Sequence, residues 1–221
     1  MIEFSSFSKE KEEKNWGIGE MVLTCMPDLS TLSDEVLATQ ASRSDMESFE
    51  ELMKRYEKPV LGIALKITGN KENAEEVLQD TFISVYKNLP NFRNDSSFKT
   101  WLYKIATNAA LANVRKNKKN TDNISEEIVD DDLSVSPITE WPETPESIYE
   151  KKEFSSFIKE AIDKLPEKYK TVFILKDIEE FTNQEIADIL GISLSAVKSR
   201  LLRARLKVRE LLASYGKEAL S

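Results

Sequence analysis

Residues 120–150 decide how this chain can fold. From Asn120 to Glu150 there are ten acids (Asp122, Glu126, Glu127, Asp130, Asp131, Asp132, Glu140, Glu143, Glu146, Glu150) and no Lys or Arg. Pro137, Pro142 and Pro145 are spread among its Ser and Thr residues. Like charges repel, proline interrupts helices, and the apolar content is too low to hold a core. The stretch predicts a disordered linker, so the chain on either side must bury its own core. The expected layout is a polar leader over 1–28, a first domain over 29–119, the linker over 120–150 and a second domain over 151–215.

The same stretch corrects the meaning of the net charge. The chain carries −8 and the linker alone −10, which leaves +2 for everything else. Just before the linker, Phe98 to Lys119 holds six basic residues and no acid. Near the end, Gly191 to Arg209 again holds six and no acid. A polyanion responds to local potential, so two basic islands predict two nucleic-acid-facing surfaces.

Histidine is absent and Cys25 is the single cysteine. These counts exclude a disulfide framework, a His/Cys zinc site, and Ser-His-Asp or Cys-His catalysis. Carboxylate, Lys or Mg²⁺ chemistry survives the count, but no cluster favours it. No cofactor and no metal is expected. No window approaches the roughly 18 apolar residues of a membrane span. Met1 to Glu20 mixes both charge signs without an apolar h-region, unlike a signal peptide. The expected location is the cytoplasm, and translation from Met1, Met21 or Met26 is compatible with the polar leader.

The apolar periodicity is helical throughout, with neither strand alternation nor an internal repeat. Met46, Phe49, Leu52, Met53, Tyr56, Val60, Ile63, Ala64 and Ile67 step by three and four, and Pro59 is expected to kink or break that helix. After Gly69-Asn70, a helix from Lys71 to Leu89 carries Ala74, Val77, Leu78, Phe82, Val85 and Leu89, and Pro90 stops it. A polar loop over Asn91–Ser97 precedes a helix from Phe98, expected to bury Leu102, Ile105, Ala106, Ala109 and Ala112. Beyond the linker, Phe154, Phe157, Ile158, Ala161, Ile162 and Leu165 form a stripe, and Pro166 introduces a helix to about Ile178. Thr182-Asn183-Gln184-Glu185 fits a capping box before Ile186, Ala187 and Leu190. Gly191-Ile192-Ser193 makes a turn, and the last helix carries Val197, Leu201, Ala204, Val208 and Leu211. The expected fold is all-α, in two small helical domains.

Three constellations stand out. Residues 182–203 describe a helix-turn-helix: a capped helix, a Gly-containing turn and a second helix with a basic face. Ser195, Lys198, Ser199 and Leu202 are expected to face the major groove, with Arg200, Arg203, Arg205 and Lys207 as phosphate ligands. A merely solvated basic helix is the plainer alternative, and a run of cations without one acid disfavours it. On the Phe98 helix, Trp101, Lys104, Asn108 and Arg115 share a face, with Phe92, Arg93 and Phe98 beside it. Rings interleaved with cations suit single-stranded nucleic acid, although a core role fits the aromatics equally. Opposite the apolar stripe of the 71–89 helix lie Glu76, Gln79, Asp80 and Ile83, either a solvated face or a protein-docking one.

Two segments carry a resemblance. GNKENAEEVLQDTFISVYKNLPNFRNDSSFKTWLYKIATNAALANVRKNKK resembles region 2 of bacterial RNA polymerase sigma factors. LPEKYKTVFILKDIEEFTNQEIADILGISLSAVKSRLLRARLKVRE resembles region 4. With only a short acidic linker between them, the chain is similar to the extracytoplasmic-function group of the sigma-70 family. The resemblance implies a non-enzymatic initiation factor that binds core polymerase, selects promoters and assists their opening. It implies core binding, at the largest-subunit clamp helices, by Glu76, Gln79, Asp80 and Ile83, and a further contact with the flap region. It implies −10 recognition and melting by Phe92, Asn94, Ser96, Phe98, Lys99, Trp101, Lys104, Asn108 and Arg115. The SAVKSRLLRAR helix is then the −35 reader, with Lys198, Ser199 and Leu202 at base edges. The family admits an anti-sigma factor as a further partner. Ala112 departs from the acid or amide often found at its position. The rival reading is a stand-alone helix-turn-helix regulator, which would bind a duplex site without polymerase.

Overall fold

The first domain is organised by a helix that tolerates proline. In a computed structural model of the chain, which describes residues 28–93, 95–120 and 151–218, α2 runs unbroken over Met46–Thr68 with Pro59 inside it. The expected break does not occur. Proline in a helix interior costs about 3 kcal/mol. Here Tyr56, Val60, Ile63, Ala64 and Ile67 lie on one buried stripe spanning the proline. Each large apolar side chain so buried contributes about 1.5–3 kcal/mol, so the stripe outweighs the lost ladder bond. The leader up to residue 27, Asn94 and the linker over 121–150 lie outside the described residues.

Gly69, at φ +71°, ends α2 in the left-handed region that glycine enters without steric cost. Asn70 then caps α3 (Lys71–Asn88), its side-chain oxygen accepting from the Asn73 N–H at 2.9 Å. A 3₁₀ turn at Leu89–Asn91 leads to the loop before α4 (Phe98–Asn120). The buried face of α4 is rotated from the expected one. It comprises Phe98, Thr100, Leu102, Tyr103, Ala106, Thr107, Ala110 and Asn113, while Ile105 and Ala109 are only partly buried and Ala112 is exposed. The expected stripe followed apolar residues alone, whereas α4 packs against α2, α3 and the second domain together and so buries a broader arc.

The periodicity gives no sign of α1 (Asp34–Ala41) or of the 3₁₀ turn at Leu29–Thr31 before it. Both are held from α2. The Arg55 guanidinium donates to the carbonyls of Leu29, Ser30 and Leu32 at 2.8, 2.9 and 2.8 Å, and to Asp34 at 2.8 Å. The Tyr56 hydroxyl donates to the other Asp34 oxygen. Burial and the adjacent Asp34 charge push that phenol well above its ordinary range, so it serves as a permanent donor.

The second domain comprises α5 (Lys151–Asp163), α6 (Glu167–Phe173), a π-helical turn at Ile174–Ile178, α7 (Asn183–Leu190) and α8 (Leu194–Glu218). The expected capping box is present. The Thr182 hydroxyl accepts from the Glu185 N–H at 3.2 Å, and the Glu185 carboxylate accepts from the Thr182 N–H at 2.8 Å. Gly191 closes α7 at φ +64°. Ile186, Ala187 and Ile189 of α7 are buried, as are Val197, Leu201, Ala204 and Val208 of α8, and this sets the crossing of the two helices.

Candidate nucleic-acid interface

α8 presents its first three turns outward because its apolar stripe is satisfied from behind. Ser195, Lys198 and Ser199 are exposed, and Leu202 is half-buried beside them. Ser193 caps the helix, its hydroxyl accepting from the Ala196 N–H at 3.2 Å. Arg200 and Arg203 flank this face and are partly buried. The remaining two cations have acidic neighbours. Arg205 pairs with Asp177 of the π-helical turn at 2.5 and 3.2 Å, and Lys207 lies 3.3 Å from Glu210. Arg205 therefore ties α8 to the turn before α7 instead of projecting freely as a phosphate ligand.

The aromatic set of the first domain is brought together as a stacked corner. The Trp101 ring lies 4.9 Å from Phe92 at an interplanar angle of 37°, and Phe98 is 5.9 Å from both. Phe98 is 1% exposed and also meets Tyr56 edge-on, so it belongs to the core and supports Trp101 from beneath. Trp101 is half-buried, while Lys104 and Asn108 follow it along the exposed side of α4. Ser96 is half-buried in the loop.

Lys99 and Arg115 instead face the second domain. The Lys99 ammonium sits 4.8 Å from the Phe181 ring centroid and 5.8 Å from Tyr103, within cation–π range. Arg115 and Lys118 approach Glu167 at 3.8 and 3.4 Å. Around them, Glu179 accepts from Lys66 at 2.6 Å and from the Tyr103 hydroxyl at 3.3 Å, and Thr100 reaches Glu185 at 3.3 Å. Burial, then the Glu179 charge, pushes the Tyr103 phenol above its ordinary range. Apart from Lys99 with Tyr103, one helical turn apart, none of these pairings is legible in the sequence, because the partners lie 49–113 residues apart.

On α3, Gln79 and Asp80 are exposed, and Ile83 projects with 52% of its surface open. Glu76 is drawn away from them, accepting from Asn113 at 3.0 Å and Lys116 at 3.3 Å, and so braces α3 on α4. Sequence reasoning missed Tyr86, which is equally exposed one turn beyond Ile83 and edge-on to Phe49 at 5.2 Å. Its spacing of three from Ile83 and seven from Gln79 was the available signal. Among the described residues, no helix is long and apolar enough to cross a membrane.

Two helical units, one closing in a capped helix-turn-helix with a basic outer face, define a DNA-binding protein. The family models agree: Sigma-70 region 2 matches residues 52–120 and Sigma-70, region 4 matches 158–208. The ECF RNA polymerase sigma factor SigW of Bacillus subtilis is 34% identical over 174 residues, covering 78% of this chain and 93% of that one. The ECF RNA polymerase sigma factor SigE of Mycolicibacterium smegmatis is 32% identical over 183 residues, covering 83% and 68%. CnrH, solved in complex with the cytosolic domain of CnrY, shares the fold at a TM-score of 0.60 and 23% identity, over 82% of this chain and 97% of that one. RpoE of Bartonella quintana, solved with the anti-sigma factor NepR, does so at 0.57 and 22%, over 76% and 98%. The chain belongs to the extracytoplasmic-function group of the sigma-70 family. It is not an enzyme, and it directs transcription initiation by RNA polymerase. The stand-alone regulator is thereby set aside.

Proposed function

We propose that the chain works in the cytoplasm and divides its task between the domains, residues 29–119 docking on core polymerase and opening the −10 element, residues 151–215 reading the −35 element. The observation that carries this division is the separation of three exposed faces. Gln79, Asp80, Ile83 and Tyr86 form a mixed polar and apolar face on α3, suited to the clamp helices of the largest subunit. Trp101, Lys104 and Asn108 form a ring-and-cation edge on α4, suited to an unpaired strand. Ser195, Lys198, Ser199 and Leu202 form the groove-reading face of α8, where Lys198 can donate to guanine and Ser199 to either base edge. The second domain would also meet the flap region, and an anti-sigma factor would act by covering one of these faces.

Run-off transcription with purified core polymerase on a promoter library tests this directly. The protein should select a set of templates that core alone does not transcribe. Lys198→Ala should shift the preferred base at one upstream position, where one lost base-edge contact costs about 1–3 kcal/mol. A template set unchanged by Lys198→Ala would remove α8 as the upstream reader.

A further inference from the structure

The far end of α4 is fastened to α3 through a buried amide. Beyond Ala110, Leu111 and Val114 are only partly buried, and Asn113 is the one buried side chain there among the described residues, at 7% exposure. Its Nδ2 donates to Glu76 Oε2 at 3.0 Å, and its Oδ1 accepts from Asn117 at 3.0 Å, so both ends of the amide are engaged. Lys116 reaches the other Glu76 oxygen at 3.3 Å, with the Lys and Glu side chains 66% and 49% exposed. An ion pair so open to water adds little, whereas a bond from a buried amide to a carboxylate is strong and directional. At about 100° per residue, Lys104 lies roughly 180° round α4 from Asn113, Asn108 about 140° and Trp101 about 120°. The brace therefore sits on the back of the ring-and-cation edge. On α3, Glu76 stands one turn before Gln79 and Asp80 and shares their stripe.

We propose that Glu76 is a positioning residue for strand opening: through Asn113 it fixes the rotation of α4 against α3. It thereby aims Trp101, Lys104 and Asn108 relative to the surface that docks on polymerase. The inference rests on the proposed division of labour, with α3 as the docking element and α4 as the opening one. It takes Glu76 out of the core-binding set that the resemblance implies, because both of its oxygens are turned to α4. Apolar contacts are non-directional, so a helix packed by them alone can roll about its axis. A roll of roughly 10–20° is enough to misdirect a built site. The bond from Asn113 to Glu76 removes that freedom, and it does so beside the residues that polymerase would hold still.

The test uses holoenzyme, reconstituted from core polymerase and the full chain, on a promoter fragment selected by run-off from the library. Core affinity, initial promoter binding and the rate at which thymines become permanganate-reactive at saturating holoenzyme are measured separately. Glu76→Ala should slow opening about tenfold, the equivalent of one hydrogen bond to a charged group, and leave core affinity and initial binding at wild-type values. Asn113→Asp sets two carboxylates against each other and should slow opening as much. Adding Glu76→Gln to it exchanges donor and acceptor and should restore the rate. Glu75→Gln removes an equal charge one residue away, where Glu75 faces Lys71 at 3.7 Å, and should change nothing. Normal opening in Glu76→Ala, or no recovery on exchange, overturns the inference. A loss of core affinity in Glu76→Ala at an unchanged melting temperature also overturns it, because Glu76 would then be a polymerase ligand. So does an equal loss in Glu75→Gln, which would show a general charge effect. Should Glu76→Ala melt early, the exchange decides alone. Normal thymine reactivity in Trp101→Ala would instead sink the reading of α4 as the opening helix, which separates the two claims.

Discussion

Thr81 and Thr107 are both fully buried, yet their hydroxyls are treated differently. The Thr81 Oγ1 donates to the Val77 carbonyl at 2.6 Å, whereas the Thr107 Oγ1 has no partner. A buried hydroxyl left unpaired costs about 1–3 kcal/mol, while a made bond returns about 0.5–1.5 kcal/mol. Valine has nearly the shape of threonine, so the two substitutions should diverge. Thr107→Val should raise the urea midpoint of the protein, and Thr81→Val should lower it by roughly 1 kcal/mol of stability. Equal effects on the midpoint would show that Thr107 is satisfied after all. Such differences are invisible in the sequence, where both threonines sit on amphipathic helices. The same holds for Phe98 and Trp101: periodicity placed both rings near one edge, and only packing separates the buried support from the half-buried partner.

Elements whose ends are fixed by local chemistry were the legible ones. The boundaries of α7 follow from Thr182, Glu185 and Gly191, all within ten residues of one another, so sequence alone locates them. In contrast, α1 depends on Arg55, 21–26 residues away, and the break expected at Pro59 ignored a stripe that spans it. The capping box also has a pH signature. Burial acts to raise the Glu185 carboxyl, but hydrogen bonds from Thr182, then Thr100, and the Lys99 charge outweigh it and hold the group below its ordinary value of 4.5. A depressed carboxyl contributes stability that is complete above its unfolded pKa and is lost as pH falls through the folded one. Thr182→Ala should therefore cost about 1 kcal/mol at neutral pH. The cost should shrink as the pH is taken from neutral to acid, through the lowered Glu185 carboxyl, where wild type loses the same interaction. Urea unfolding of both proteins at the two pH values measures this, and a constant difference would contradict a role for the Glu185 charge.

At the scale of the molecule, the two domains meet through acids of the second and donors of the first. Glu179 is the centre of that contact, with Lys66 on one side and Tyr103 on the other. Glu179→Gln weakens both bonds while keeping the side chain's size. Small-angle scattering of the free protein should then give a larger radius of gyration, and an unchanged radius would show that Phe181 against Tyr103 suffices to hold the domains. That the chain has two helical domains was readable in the sequence, because the acid-rich, proline-containing stretch separates two segments with helical apolar periodicity. The contact between the domains was not, since it is made by pairs that the linker separates in sequence. The central claim is that upstream binding and strand opening belong to different domains. Permanganate reactivity of promoter thymines, measured with DNase protection in holoenzymes carrying wild type or Trp101→Ala, tests it most directly. The account predicts intact protection over the upstream element and reduced reactivity in the −10 region, since one lost base–aromatic stack costs roughly 1–3 kcal/mol. Normal thymine reactivity in Trp101→Ala would contradict it and return Trp101 to the core beside Phe98.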